Sequence, residues 1–356
     1  MPVHQVLVTV APGDAVTGAA FGLRDLLRRI DDSEIFARFI HPDLADEVHP
    51  LEEYTTRVKG PADALVYHAA IGDAYVLGFL LERREPLVLL YHNITPAEHF
   101  AALDPTFAQL LTAGRGDLLA LRERVALPLA VSAFNAAELV SLGYEDVRVA
   151  PLPVDAAGLS EVESDAATLR RLRDQVGGPI VLFVGQLLPH KRPDLLLQAH
   201  HVLRTYLVPE AHLVLVGRAR QARYRRGLEM FIEELALDAH ITGWVTGGAL
   251  VALYRAAACF VTMSEHEGFC VPLLEAMALD VPVVARDFAA VPETMGGAGV
   301  LLPAEEAPVL AAEAISQVLS DDGLRAELIR RGRRRVEAFR RESTDAVFLS
   351  HLEAVL

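Results

Sequence analysis

Lysine is nearly missing from this chain. Of its 33 basic residues, 31 are arginine and only Lys59 and Lys191 are lysine. Where positive charge is otherwise supplied by arginine, each lysine marks a position worth explaining. Cysteine is equally scarce: Cys259 and Cys270 stand alone without CxxC spacing, which excludes a disulfide framework or a cysteine-based zinc site. No Asp-x-Asp triad occurs, so no carboxylate pair of that kind holds a metal ion. No uninterrupted apolar run approaches the ~20 residues that a membrane-spanning helix requires. Met1 leads almost directly into "VHQVLVTV", without a basic segment, apolar run and cleavage site, so no export signal and a cytoplasmic location are expected. GxGxxG is missing too, and in "APGDAVTGAAFG" Ala19 and Ala20 stand where a phosphate-cradling loop needs Lys-Ser/Thr. A P-loop nucleotidase and a dinucleotide dehydrogenase are both unsupported. Gly13 and Asp14 remain as a small-residue turn that either admits a ligand closely or merely starts a helix.

What is present is a long, apolar and acidic chain. At 356 residues it can build two domains, each with its own core, and 52% hydrophobic residues argue against disorder. The net charge of −15 argues against broad nucleic-acid binding. Arginine clusters in "GRARQARYRR" and "RRGRRRVEAFRR"; these are solvated helix faces or a dock for anionic lipid or a polyanionic acceptor. Nearly continuous apolar strands alternate with helical segments: "HQVLVTV", "EIFARFI", "DALVYHA", "PLVLLYHN", "PLAVSA" and "DVRVAP", then "PIVLFVGQ", "AHLVLVGR", "HITGWV", "CFVTMS", "PVVARD" and "GVLLP". Such strands indicate parallel sheets covered on both faces. "PLPVDAAGLSEVESDAA" breaks the pattern, placing one α/β domain at 1–154 and another at 155–339. The amphipathic stretch 340–356 packs on either domain and is assigned to complete the first.

Three constellations carry chemistry. His68 and His92 each end an apolar strand, where ligands of parallel sheets bind. Of the two, His92 has the sharper exit, through Asn93 and Pro96. In "FVGQLLPHKRPDLLLQAH", Gly185 ends a strand and Lys191 precedes a helix opened by Pro193. A cation beside helix N–H groups suits a phosphate, because charge and dipole add. In "SEHEGFCVPLLEAMA", Glu267 precedes a turn, Gly268 to Val271, and Glu275 lies inside a helix expected to begin at Pro272. Helix capping explains one acid near such a turn, but not two flanking it.

These residues resemble the retaining family 4 glycosyltransferases. The resemblance runs through "VGQLLPHKRPDLL", "LVLVG", "ITGWVTGGALVALYRAA", "SEHEGFCVPLLEAMALDVPVVARD" and "VPETMGGAGVLL". In the first half, "YHNITPAEHF" and "VSAFNAAEL" resemble a bacterial subset described as mannosyltransferases or related hexosyltransferases. It implies the GT-B fold, two Rossmann-like doubly wound domains facing a cleft. It also implies that Glu275 holds the ribose of a nucleotide-sugar donor and Glu267 the donor sugar. Gly268, Phe269, Cys270 and Val271 would offer N–H groups, Lys191 would neutralise the leaving diphosphate, and His92 would lie beside the transferred sugar. Gly185 and Gln186 fall in the diphosphate loop, and Gly217, Trp244 and Val245 near the base pocket. One residue departs from the family: where arginine usually follows the glycine, this chain has Gln186, so that either Arg192 substitutes or the site works with a single cation.

The expected activity is transfer of a hexose, with GDP-mannose favoured as donor, to a hydroxyl on a glycan, lipid-linked sugar or small molecule. No cofactor and no metal are expected. Location at the inner face of a membrane, by peripheral contact, fits the arginine clusters. A nucleotide-sugar 2-epimerase of the same fold and a non-catalytic sugar-nucleotide-binding partner are the alternatives, the latter kept open by Gln186.

Overall fold

The computed structural model describes residues 2–58, 60, 62–152, 156–305 and 308–353, so Lys59 lies outside the described residues. The chain folds as two compact units, Met1–Val154 with Arg341–Leu356, and Asp155–Arg340.

Unit 1 is built on seven strands: β1 (Val3–Val10), β2 (Ile35–Ile40), β3 (His49–Pro50), β4 (Ala64–Ala69), β5 (Leu87–Tyr91), β6 (Val125–Ala130) and β7 (Arg148–Val149). They pair in the order β3-β2-β1-β4-β5-β6-β7, every pair parallel. Side chains on both faces of β4 and β5 are buried throughout, which is why these strands read as unbroken apolar runs. The strand order reverses between β1 and β4. β3, only two residues long, is the one strand with no expectation in the sequence. The helix Arg341–Leu352 belongs to this unit. Arg29 pairs with Asp345 at 2.6 Å, His351 meets the Val149 carbonyl at 3.2 Å, and Phe348 and Leu352 are buried.

Unit 2 carries β8 (Ile180–Val184), β9 (His212–Val216), β10 (Ala239–Gly243), β11 (Ala257–Thr262), β12 (Val283–Arg286) and β13 (Val300–Leu302). Their order is β10-β9-β8-β11-β12-β13, again all parallel. Here the reversal falls between β8 and β11. The loops leaving those two strands diverge to opposite sides and open a crevice at their carboxyl ends. Two doubly wound α/β domains are thus what the strand pattern led one to expect. Among the described residues no helix is long and apolar enough to cross a membrane.

Arginines of the second cluster are mostly engaged within unit 2. Arg330 and Arg331 pair with Glu327, Arg333 with Asp280 and Arg340 with Glu337, while Arg335 donates to the Thr294 carbonyl.

At the ends of β8, β9 and β10 the backbones pack without side chains between them. Gly185 donates its N–H to the Val216 carbonyl at 2.9 Å, and Gly217 to the Gly243 carbonyl at 3.0 Å. A Cβ on Gly217, whose φ is +146°, would sit 1.8 Å from the Gly185 carbonyl oxygen. Gly227, inside the helix Ala222–Glu234, has open space around the corresponding position. Alanine at the two sites should therefore act in opposite directions. Gly217→Ala is expected to destabilise by roughly 2 kcal/mol or more, through steric overlap and a left-handed backbone. Gly227→Ala should stabilise by about 0.5–1 kcal/mol. Denaturant unfolding of both variants checks this, and equal effects would refute the close approach at Gly217.

Candidate active site

The crevice of unit 2 joins residues far apart in sequence. After β8 the chain turns through Pro189–Lys191 and starts the helix Pro193–Val202; after β11 it runs through Glu267 into the helix Val271–Ala278. Lys191 Nζ donates to both carboxylate oxygens of Glu267, at 2.7 Å each. Glu267 is 7% exposed and Lys191 19%. Burial pulls the Lys191 ammonium down, but the Glu267 carboxylate and the nearby Cys270 outweigh it, and its pKa ends above the ordinary lysine value. The lysine stays charged.

Both helices start in an unusual way. The residue before each adopts left-handed backbone without being glycine: Arg192 at φ +50° and Cys270 at φ +69°. Neither supplies a side-chain cap to its helix. Elsewhere in the chain Asp14, Asp73, Ser132 and Asp165 cap helices in the usual manner. The helix Val271–Ala278 starts one residue earlier than expected, so Pro272 is its second residue. Helix starts of this kind leave N–H groups and positive dipole ends for an anion. The turn itself is held from below. Thr294 Oγ1 donates to the Phe269 carbonyl at 2.5 Å, Ala290 N–H to the Glu267 carbonyl at 3.2 Å, and Phe269 packs edge-on against Phe339.

Glu275 is half-buried, one turn into its helix. Its partner is Tyr254, a fully buried side chain whose hydroxyl donates to Glu275 Oε2 at 2.8 Å. Burial pushes the Glu275 carboxyl above its ordinary value, against the opposing pull of the Tyr254 hydrogen bond. Burial first, and then the Glu275 carboxylate, raise the Tyr254 hydroxyl well above the usual phenol. Nothing in the sequence singles out Tyr254. The carboxylate it orients was visible only as an acid among leucines.

The remaining predicted positions of unit 2 line neighbouring strand ends. Gly185 and Gly217 belong to the glycine contact, and Gln186 is exposed beside them. Trp244 is 53% exposed, with the Arg218 guanidinium 5.5 Å above its ring; Val245 follows it. Arg192, the candidate substitute cation, is already engaged: it pairs with Asp194 at 3.0 Å and with Glu265, which also binds Arg286. Lys191 is thus the cation whose partner belongs to the predicted donor set.

In unit 1, Gly13 takes the turn (φ +75°), and Asp14 caps the helix Ala15–Leu27, accepting from the Thr17 N–H at 2.9 Å and its hydroxyl at 3.0 Å. His92 is buried just past β5 and meets His68, Nε2 to Nδ1, at 2.9 Å. The loop after it is anchored: Asn93, at φ +99°, donates from Nδ2 to Asn135 Oδ1 at 2.8 Å, and Ile94 N–H donates to the Tyr91 hydroxyl at 3.0 Å. Among the described residues no cluster of three or more His, Cys, Asp or Glu is placed to hold a metal ion.

Comparison with known proteins bears on this site directly. Residues 166–335, which contain Lys191, Glu267 and Glu275, match the family model for glycosyl transferases group 1. That stretch is a group 1 glycosyltransferase domain. D-inositol 3-phosphate glycosyltransferase of Salinispora arenicola is 29% identical over 80% of this chain and 67% of its own length. GDP-mannose-dependent alpha-mannosyltransferase of Mycolicibacterium smegmatis is 36% identical over 33% of this chain and 28% of its own. Of a second D-inositol 3-phosphate glycosyltransferase, from Acidothermus cellulolyticus, the match spans 56%. Matches to these curated relatives thus span from a quarter to two thirds of their length. Among solved structures, sucrose-phosphate synthase of Thermosynechococcus elongatus superposes with a TM-score of 0.76 at 20% identity, over 100% of this chain and 99% of that one. HepE of Anabaena, solved with UDP-glucose, gives 0.77 at 18% identity, over 99% and 100%. These likenesses establish the fold as GT-B, around the group 1 domain.

The electrostatics of the domain lead to a test on the protein without ligand. Burial holds the folded-state pKa of Glu275 above that of a glutamate in the unfolded chain. Its stabilising contribution is therefore present when both states are protonated, below the unfolded pKa, and is lost as pH rises through the folded one. Glu275→Gln should melt higher than the parent near neutral pH, with the gap closing as pH falls to about 4. Thermal unfolding across that range decides it. A variant less stable than the parent at every pH would make Glu275 a structural partner of Tyr254 and nothing more.

Proposed function

We propose that the protein is a retaining glycosyltransferase that moves a hexose from a nucleoside diphosphate sugar to an acceptor hydroxyl. The observation that carries the proposal is the Lys191–Glu267 pair, set between two helix starts without side-chain caps. Lys191 and the helix N–H groups meet the diphosphate and stabilise the charge that develops as it leaves. Glu275, oriented by Tyr254, accepts hydrogen bonds from the ribose hydroxyls. Glu267 accepts from hydroxyls of the sugar. The bond between the anomeric carbon and the phosphate oxygen breaks, and the acceptor oxygen takes its place on the same face. The acceptor's proton passes to the departing phosphate, with no protein nucleophile. In unit 1, His92 keeps the assignment the resemblance implies, a contact with the transferred sugar.

The donor we favour is GDP-mannose, the nucleotide sugar in the name of the Mycolicibacterium smegmatis relative. Mannosyltransferase B of the Escherichia coli O-antigen chain, 32% identical over 44% of this chain, supports the same sugar. The acceptor class is a glycan, a lipid-linked sugar or a small molecule.

Calorimetric titration separates the two glutamates. A hydrogen bond to a charged group is worth roughly 1.5–3 kcal/mol, about tenfold to a hundredfold in affinity. Glu275→Gln should weaken binding of bare nucleoside diphosphate and intact donor alike, by about that factor. Glu267→Gln should leave the bare nucleotide nearly unaffected and lower turnover of the donor. If the first variant binds nucleoside diphosphate as the parent does, the ribose assignment is wrong and the proposal loses its main support.

With lysine and helix dipoles meeting the diphosphate, transfer should persist in excess EDTA. An assay with and without chelator checks this; activity lost to EDTA and restored by Mg²⁺ or Mn²⁺ would show that a metal ion shares the charge.

A further inference from the structure

A buried polar chain crosses the sheet of unit 1. Gln5, the third residue of strand β1, is fully buried. Parallel register pairs Gln5 with Val66, Leu7 with His68, and His68 with Leu90. Because side chains alternate along a strand, Gln5, His68 and His92 all fall on one face of three adjacent strands. Gln5 Oε1 lies 2.8 Å from His68 Nε2, and His68 Nδ1 lies 2.9 Å from His92 Nε2. The two rings are nearly coplanar and meet edge to edge, their centroids 5.1 Å apart and their planes at 17°. Both ends of the chain are bare: Gln5 Nε2 and His92 Nδ1 are buried without a hydrogen-bond partner.

Each neutral imidazole has one N–H and one lone pair, so the direction of the first bond sets every later one. Burial lowers His92 to about 3 and, together with His92, lowers His68 well below the ordinary value, so both rings are neutral at physiological pH. The Gln5 carbonyl can only accept. His68 must therefore carry its proton on Nε2 and present a lone pair at Nδ1. His92 must in turn donate from Nε2, which leaves Nδ1 as a bare acceptor. An unpartnered buried acceptor costs stability unless something donates to it.

We infer that Gln5 and His68 are positioning residues that fix the tautomer of His92, so that its Nδ1 accepts a hydrogen bond from a hydroxyl of the sugar. The assignment of a sugar to His92 rests on the function proposed above; the tautomer chain does not. With the amide of Gln5 reversed, the whole chain would reverse and His92 would become a donor toward its ligand.

Long-range ¹H–¹⁵N spectra of ligand-free protein labelled at histidine read the chain directly, with His92→Phe identifying the His92 signals. The parent should show His92 protonated at Nε2 alone. Gln5→Met, similar in shape but without the accepting oxygen, should shift His68 and His92 toward mixed tautomers. The same variant should lower kcat roughly tenfold to a hundredfold, the scale seen when a metal-bound imidazole loses the group that orients it. Its affinity for bare nucleoside diphosphate should stay unchanged, which a general loss of folding would not allow. His92 protonated at Nδ1 in the parent, or a His92 tautomer unmoved by Gln5→Met, overturns the inference, and the parent spectrum requires no variant to fold. Parent protein with the expected tautomer but no sugar transfer would leave the chain standing and remove the transferase reading instead.

Discussion

A single ion pair organises the group 1 domain. Lys191 and Glu267 are 76 positions apart, and they meet because β8 and β11 lie side by side where the strand order reverses. Partly buried pairs of this kind add little to stability, since desolvating both charges offsets most of their attraction. The pair makes better sense as a resting state. Without ligand, the carboxylate keeps the lysine charged, aimed and neutralised. Neighbouring charges are settled without drawing on this pair: Glu265 and Asp194 hold Arg192, and Glu265 also holds Arg286.

Several features around that pair lower stability. Arg192 and Cys270 adopt backbone that L-residues avoid at a cost of roughly 1–2 kcal/mol each. Glu275 sits where burial disfavours its charge; unit 1, taken by itself, has a feature of the same kind in Asn93, left-handed beside His92. Residues of this kind cluster at binding sites, because packing elsewhere maintains a geometry the local sequence would not choose. Here the support is visible, in Thr294 and Phe339 beneath the turn and in Asn135 and Tyr91 beside the histidine loop.

Much of the fold was legible because parallel strands buried on both faces leave an unmistakable apolar signature. β3 escaped because two residues carry no periodicity at all. The candidate site was legible only as a set of anomalies: a lysine in a chain of arginines, and a glutamate among leucines. What the anomalies touch was not legible. Tyr254 is one more aromatic in an apolar helix until the fold places its hydroxyl against Glu275. Gln5 drew no attention in the sequence, and linking it to His68 and His92 requires the strand order β1-β4-β5, which no local pattern encodes. Arg192 shows the converse limit. Sequence position made it a plausible substitute for a missing arginine, whereas the fold commits it to two carboxylates.

The return of the helix Arg341–Leu352 to unit 1 bears on how the chain is made. Unit 1 is discontinuous: residues 155–340, which number 186 (340 − 155 + 1), separate its two pieces. At ~5–20 residues per second, about 10–40 s pass between synthesis of the first piece and arrival of the helix that covers it. Through that interval the surface around Ala19, Leu23 and Leu90, which Phe348 and Asp345 later line, waits uncovered on the ribosome. The second unit, continuous in sequence, has everything it needs before the first is finished. The domain that starts first is completed last, and its apolar face stays uncovered until that helix arrives.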